Sequence, residues 1–229
     1  MNLLRIKSGI VHGKFISESK NRFLCKVLIN NSIEECYIPS SSRLDNYLKL
    51  KNKDILLTTN KGKNTRTRYS VFAVKYYGKY ILLNLKIVNK LVEKYIRLLN
   101  MTKQNIKIYK EQKIENYKAD LIIKKEKEII VEAKGLIGIR REVVFPSVFS
   151  QRAISQLKKI RDLLKQGYEI EYYLVSLSPI IRKVIINNEI EEFKTLMYEC
   201  IENGMNLKGF SVSYNKERVY IEKQPKILL

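Results

Sequence analysis

The hydrophobic period of the chain changes once, near residue 84, and that change limits the folds open to it. Up to residue 83 apolar residues come in short runs broken by polar turns. Residues 10–17, 22–29 and 34–38 are three such runs, with Ser19-Lys20-Asn21 and Asn30-Asn31-Ser32 between them, and 55–59, 69–77 and 80–85 follow. Side chains alternate along a strand, so short runs bounded by Asn, Ser and Lys read as strands. Five or six of them in about 80 residues, with no helical pattern, predict a small barrel of the OB type.

From residue 87 the spacing is helical: Val88, Leu91, Val92, Tyr95, Ile96 and Leu99 share one face, with Asn84 or Asn89 available as a cap. Beyond it strands and helices interleave. A strand is expected at 105–112 and a strand pair within 117–134. Ser150 caps a helix whose stripe of Ala153, Ile154, Leu157, Ile160 and Leu164 stops at Gly167. A strand at 170–177, a helix at 188–203 closed by Gly204, and strands at 207–214 and 218–222 complete the pattern, while 135–150 reads as irregular. The expected fold is therefore mixed α/β in two domains: an OB-like nucleic-acid-binding barrel over residues 1–83 and an α/β domain over residues 84–229.

Charge narrows the partner. Lys and Arg number 44 against 23 acids, a net charge of +21. A compositional bias of the genome inflates Lys and Glu together, whereas here only the basic residues are in excess, so an anionic polymer, DNA or RNA, is the expected ligand. The stretch 49–68, KLKNKDILLTTNKGKNTRTR, carries seven basic residues and one acid, Asp54. Its end places Lys61, Lys63, Arg66 and Arg68 in an expected exposed loop with Tyr69, Tyr76 and Tyr77 close behind. Cations beside aromatic rings suit a phosphate backbone and unstacked bases; the competing reading is a solvated hairpin tip over core tyrosines.

Other chemistries are excluded. Cys25, Cys36 and Cys200 show no CxxC spacing, so neither a zinc site nor a disulfide framework is indicated. His12 is the single histidine, which rules out HExxH and histidine clusters. No apolar run approaches the roughly 18 residues of a spanning helix, and the N-terminus lacks a long apolar core with a cleavage site. A cytoplasmic protein that does not enter the membrane is expected.

Residues 117–134, YKADLIIKKEKEIIVEAK, hold the candidate chemistry. They read as two strands joined by a charged turn, with Glu132 and Lys134 on one face and Ala133 on the other. Asp120 lies directly across from Glu132 if the loop holds an odd number of residues, such as Lys125-Glu126-Lys127, with Lys124 opposite Glu128. A one-residue slip would send Asp120 to the wrong side. In register, two acids and a lysine converge, which suits a divalent cation and a water held against a phosphodiester. The alternative is an exposed hairpin with an ordinary ion pair between Glu132 and Lys134.

An acid, about ten residues and then Glu-x-Lys resembles the signature of the PD-(D/E)xK nuclease superfamily. Over most of its length the chain also resembles the sugar fermentation stimulation protein A family. The matching stretches are Asn21-Arg22-Phe23-Leu24, Ile38-Pro39 with Ser42-Arg43-Leu44, Asn89-Lys90-Leu91-Val92, Glu111 nine residues before Asp120, Val131-Glu132-Ala133-Lys134, and Phe145-Pro146 followed by Ser150 and Arg152. They run in family order.

The resemblance implies an OB-like domain followed by a PD-(D/E)xK-type domain with Mg²⁺- or Mn²⁺-dependent nuclease activity. Asp120 and Glu132 would hold the metal with the Ala133 carbonyl, Lys134 would position the attacking water, and Glu111 would serve as outer ligand or base. Lys61, Lys63, Arg66 and Arg68 would hold the strand, with Arg22 and Arg152 nearer the site. The chain departs from the family where Ser40-Ser41-Ser42 replaces a usual Asn-Thr-Gly and where Gly135, not Asn, follows the lysine. The family's helix glutamate falls on Lys94, one position after Glu93, so Glu93 is not assigned as a ligand. The second reading, implied by the family's name, is a non-catalytic DNA-binding regulator of sugar-utilisation genes on a nuclease-like scaffold.

Overall fold

A ring of five strands forms before residue 84. The structure, a computed structural model, describes residues 1–6, 9–40, 43–44, 48–62, 65–101 and 106–229. Its first elements are β1 (Asn2–Arg5), β2 (Ile10–Glu18), β3 (Leu24–Ile29), β4 (Ser32–Tyr37), β5 (Asp54–Thr59), β6 (Tyr69–Tyr76) and β7 (Lys79–Leu82). β2 pairs antiparallel with both β3 and β5, β3 with β4, and β5 with β6. A short parallel pairing, Cys36 with Tyr69 and Tyr37 with Ser70, joins β4 to β6 and closes the ring. This Greek-key connectivity is that of an OB barrel. Alternation fills it: Cys25, Val27 and Ile29 of β3 all face the interior with Phe15, Ile55, Leu57 and Val71.

One strand that the sequence pattern did not predict lies outside the barrel. β1, inside the expected 1–83 unit, pairs antiparallel with a strand at the far end of the chain and buries Leu3 and Leu4 there. Four residues of mixed character give no periodicity of their own, and the partner that makes them a strand is remote in sequence.

After a 3-10 turn at Leu85–Ile87 come α1 (Val88–Leu99), β8 (Lys107–Lys110), β9 (Lys113–Ile114), β10 (Tyr117–Lys118), β11 (Leu121–Lys124) and β12 (Glu128–Leu136). Then follow β13 (Glu142–Phe145), α2 (Gln151–Lys165), β14 (Glu169–Ser176), β15 (Lys183–Ile186), α3 (Glu191–Glu202), β16 (Asn206–Asn215), β17 (Arg218–Ile221) and β18 (Lys226–Leu228). Seven strands form one sheet in the order β1-β17-β16-β14-β12-β11-β8, with β12, β14 and β16 parallel at its centre.

Period-2 alternation splits this sheet into two cores. Val131, Ala133, Tyr173 and Phe210 face α1 and its Val88, Leu91 and Val92. Leu56, Phe72, Ala73 and Leu82 of the barrel join that same cluster, so barrel and sheet share one apolar interior. Ile130, Tyr172 and Leu174 face the other way, against Ile154, Leu157 and Ile160 of α2 and Phe193 and Met197 of α3. Ser150 caps α2 as expected, its Oγ accepting from Ala153 N at 3.3 Å, and the helix gives way at Gly167, whose φ is +90°.

The stretch 135–150 is more ordered than its pattern suggests. β12 runs on to Leu136, and β13 joins β15 and β18 in a separate three-stranded parallel sheet. Each of these strands has three or four residues, too short to show a period, and each finds its partner far along the chain. Asn188 does not open α3, which begins at Glu191. Asn105 lies outside the described residues, and its strand is seen from Lys107. Among the described residues no helix is long and apolar enough to cross a membrane.

Candidate active site

The β11–β12 register is the one that brings the acids together. Leu121 pairs with Val131 and Lys124 with Glu128 around the loop 125–127, which sets Asp120, one step before β11, opposite Glu132. Asp120 is fixed from two sides. Its Oδ2 accepts from Ala133 N at 2.9 Å, and its Oδ1 accepts from Asn89 Nδ2 at 2.9 Å. Asn89 sits in the first turn of α1, where the unpaired amides of a helix start favour a nearby carboxylate. That closeness depends on Gly135. A Cβ there would lie 2.6 Å from Leu85 Cδ2 and 2.8 Å from Val88 Cγ2, so the missing side chain lets α1 settle on β12.

Glu132 lies on the face of the sheet that carries Ile130 and Tyr172, toward α2, and the residue is 2% exposed. Its Oε1 accepts from Lys134 Nζ at 2.6 Å and from Gln156 Nε2 at 3.1 Å, and its Oε2 accepts from the Tyr117 hydroxyl. Lys134 Nζ also donates to Gln156 Oε1 at 2.7 Å, which makes a closed triangle of Glu132, Lys134 and Gln156. Burial pushes Glu132 above the ordinary carboxylate range; Lys134 opposes the shift, the Asp120 charge adds to it, and the net direction is up. Burial and the neighbouring Glu132 hold the Tyr117 hydroxyl far above its usual range, so it remains a donor. Tyr172, opposite Glu132 on β14, is pushed up in the same way and backs the site. An exposed hairpin does not describe this geometry, because the Glu132 side chain is 3% exposed and carries an uncommon degree of satisfaction for a buried charge.

The other expected residues are placed less centrally. Glu111 follows β8, and its N–H donates to the Asp120 carbonyl at 3.0 Å, but its carboxylate pairs with Lys118 at 2.6 Å on the exposed rim. Hydrogen bonding to Lys118 holds that carboxylate below its ordinary range. Glu93 is engaged elsewhere: burial would raise it, yet bonds from Lys110 and Arg97 outweigh burial and keep it low.

Arg152 is exposed on α2, four residues before Gln156 and so on the same helical face. Arg22 lies over the Phe23 ring at 4.9 Å, Arg68 over Tyr69 at 5.3 Å, and Arg66 is 3.8 Å from Glu35. Lys61 is exposed, and Lys63 lies outside the described residues. Of the tyrosines behind this loop, Tyr69 and Tyr76 are core residues and Tyr77 is 80% exposed.

Three site residues escaped the sequence reading. Asn89 passes for a helix cap, Gln156 is one polar position among many on α2, and Tyr117 looks like a flanking aromatic. Only the folded register shows that all three terminate on Asp120 or Glu132.

The donors suit a hard divalent cation. Each Asp120 oxygen accepts one hydrogen bond and keeps a further lone pair, as does Glu132 Oε2. Among the described residues no group of three or more His, Cys, Asp or Glu side chains converges, so a zinc-type ligand set is not offered. Asp120 and Glu132, with the Ala133 carbonyl, are the groups that would hold such a cation, which takes one or two carboxylates and keeps several waters.

A Greek-key barrel of OB type leading into a mixed α/β sheet, with two acids and a lysine at one hairpin of which Glu132 is buried, defines a two-domain class of protein. The chain belongs to the sugar fermentation stimulation protein (SfsA) family: the SfsA N-terminal OB domain matches residues 18–83, and the sugar fermentation stimulation protein RE domain matches residues 85–218. It is 26% identical over 228 residues to a sugar fermentation stimulation protein homolog of Clostridium beijerinckii, covering 97% of this chain and 99% of the relative. A homolog from Saccharolobus solfataricus is 24% identical over 207 residues, 88% of this chain and 80% of the relative. The solved structure of Pyrococcus furiosus SfsA in complex with Ca²⁺ shares the fold, with a TM-score of 0.87 at 20% identity over the whole of both chains.

Proposed function

We propose that the chain is a metal-dependent nuclease of the PD-(D/E)xK type, acting on DNA or RNA at Asp120, Glu132 and Lys134. The observation that carries this reading is the buried Glu132, held by three protein donors and set across the hairpin from a second carboxylate. Burying an acid works against its ionised form even with three donors on it, and a carboxyl perturbed in this way beside a second acid and a lysine is a pattern of functional sites. Asp120, Glu132 and the Ala133 carbonyl would hold Mg²⁺ or Mn²⁺, which when bound polarises the phosphate and lowers the pKa of a water. The relative solved with Ca²⁺ supports an oxygen-donor cation site.

The chain's own groups supply the rest. Asn89 and Ala133 N fix one carboxylate, and Tyr117 and Gln156 fix the other, so both are preorganised. As a water oxygen bonds to phosphorus and the ester P–O bond opposite it breaks, negative charge gathers on the non-bridging oxygens. Lys134, with one N–H left after Glu132 and Gln156, offsets that charge. Arg152 and the basic loop with Lys61, Arg66 and Arg68 hold the strand, helped by the net charge of +21. The free, buried cysteines fit a reducing cytoplasm.

Cleavage of labelled single- and double-stranded DNA and RNA with Mg²⁺ or Mn²⁺ tests the site. Asp120→Asn and Lys134→Ala are each expected to lower turnover by about 10²–10³-fold. Equal activity in wild type and both variants discards it. One observation favours the non-catalytic DNA-binding regulator instead: Lys134 is already engaged by Glu132 and Gln156, as in a self-satisfied scaffold. Binding that survives Asp120→Asn, with no turnover under any metal, selects that reading.

A further inference from the structure

Two large apolar side chains stand exposed together just before α2: Val148 is 70% exposed and Phe149 62%. Exposed apolar residues scattered singly are ordinary, whereas adjoining ones mark a surface that meets something. Their loop is held at both ends. On one side Asn187 N and Nδ2 donate to the carbonyls of Phe145 and Pro146, each at 2.8 Å. On the other, Ser150 caps α2, and Ile154 N donates to the Ser150 carbonyl at 3.1 Å. The ring and the valine are thus presented to solvent on an anchored backbone.

Charge says what covers them. The chain carries no acid from Val143 to Arg161, and the first turn of α2, where a helix favours acids, has none and holds Arg152 instead. Arg152 precedes Gln156 by four residues, about 6 Å along the helix axis, and Gln156 bonds both Glu132 and Lys134. An apolar pair, a cation and the acid cluster therefore follow one another along the start of α2. Flat apolar faces strung on phosphates match that order, and aromatic side chains stack on bases of any sequence. Resting on the nuclease reading above, we infer that Phe149, backed by Val148, stacks on the base beside the scissile phosphate while Arg152 holds the next phosphate of the strand. This contact belongs to the α/β domain and not to the barrel. It sets the register of the strand over the acid cluster, which makes Phe149 a positioning residue for the cut.

Two experiments test this. In the first, the cut is mapped on a short labelled strand with Mg²⁺, and cleavage is compared with that of the same strand made abasic beside the cut, for wild type, Phe149→Ser and Phe149→Trp. Phe149→Ser is expected to lower kcat/KM about tenfold on the intact strand, Phe149→Trp to keep it, and the abasic strand to be cut equally by wild type and Phe149→Ser. No loss on the intact strand, or the same loss on both strands, overturns the contact and leaves the nuclease reading standing. The second needs no variant: strands carrying 5-iodouracil at successive positions are photocrosslinked to wild type in Ca²⁺ and the peptides identified by mass spectrometry. A crosslink to Phe149 is expected, and crosslinks that miss residues 148–149 overturn the contact. If that crosslink forms while no strand is cut under any metal, the stacking contact stands and the nuclease reading falls. Sedimentation velocity covers the other occupant: a dimer that Phe149→Ser splits, with cleavage unchanged, gives the pair to a second copy of the chain and overturns the inference.

Discussion

Glu132 is where chemistry and stability oppose each other most directly. Its folded pKa is raised, so the stability contributed by its protonated form is complete below the ordinary carboxylate range and is lost as pH rises through the folded value. Glu132→Gln cannot titrate. Denaturant melts across the acid-to-neutral range should show the variant gaining on wild type as pH rises, while turnover disappears and Mg²⁺ no longer raises Tm. Tyr117→Phe acts in the other direction. It removes a donor that lowers the Glu132 pKa, so the acid limb of the pH–rate profile should move to higher pH, with a loss of about 1–3 kcal/mol in stability for a buried acceptor left short of a partner. At this scale the sequence was informative about charge and mute about support. Asp120, Glu132 and Lys134 stood out because acids and a lysine occupied strand positions. Asn89, Tyr117 and Gln156 did not, since an amide or a phenol on a helix or strand has many ordinary uses.

At the scale of elements, the hairpin decides which side chains meet and α1 decides how firmly. The register was legible only as a condition, an odd loop such as 125–127, and the pairing of Lys124 with Glu128 meets it. The seating of α1 was not legible, because Gly135 advertises nothing until the helix is seen against it. Gly135→Ala should push α1 off β12 and cost about 1–3 kcal/mol in chemical denaturation, an overpacking penalty. The same variant should weaken the hold of Asn89 on Asp120, so kcat should fall while strand affinity does not. A variant that keeps wild-type kcat would separate α1 from the acid cluster. Short strands were the elements that sequence patterning missed. β13, β15 and β18 owe their existence to one another rather than to their own periodicity.

For the whole molecule, the shared interior of barrel and sheet predicts a single cooperative transition. Phe72 and Leu82 from the barrel pack in the cluster that holds Val88 and Phe210, so losing either half strips packing from the other, although the barrel also has a core of its own around Phe15 and Val27. Calorimetry should give one endotherm whose calorimetric and van't Hoff enthalpies agree. Leu4→Ala should lower stability by about 2–4 kcal/mol although it sits in a four-residue strand, because it vacates that interior. Two resolved endotherms would contradict the coupling. The OB barrel and the α/β layer were both readable from hydrophobic period; their fusion was not, since long-range packing leaves no local trace.

The pairing of β1 with β17 also sets an order of events during synthesis. The ribosome makes β1 before the barrel, and its partner, Arg218–Ile221, only after nearly everything else. Through that interval Leu3 and Leu4 have no sheet to enter, and the nascent chain carries an unpaired apolar segment ahead of a barrel that can already close. Pairing of β1 with β17 therefore comes late, because it joins strands far apart in the chain and waits for the later one to be made.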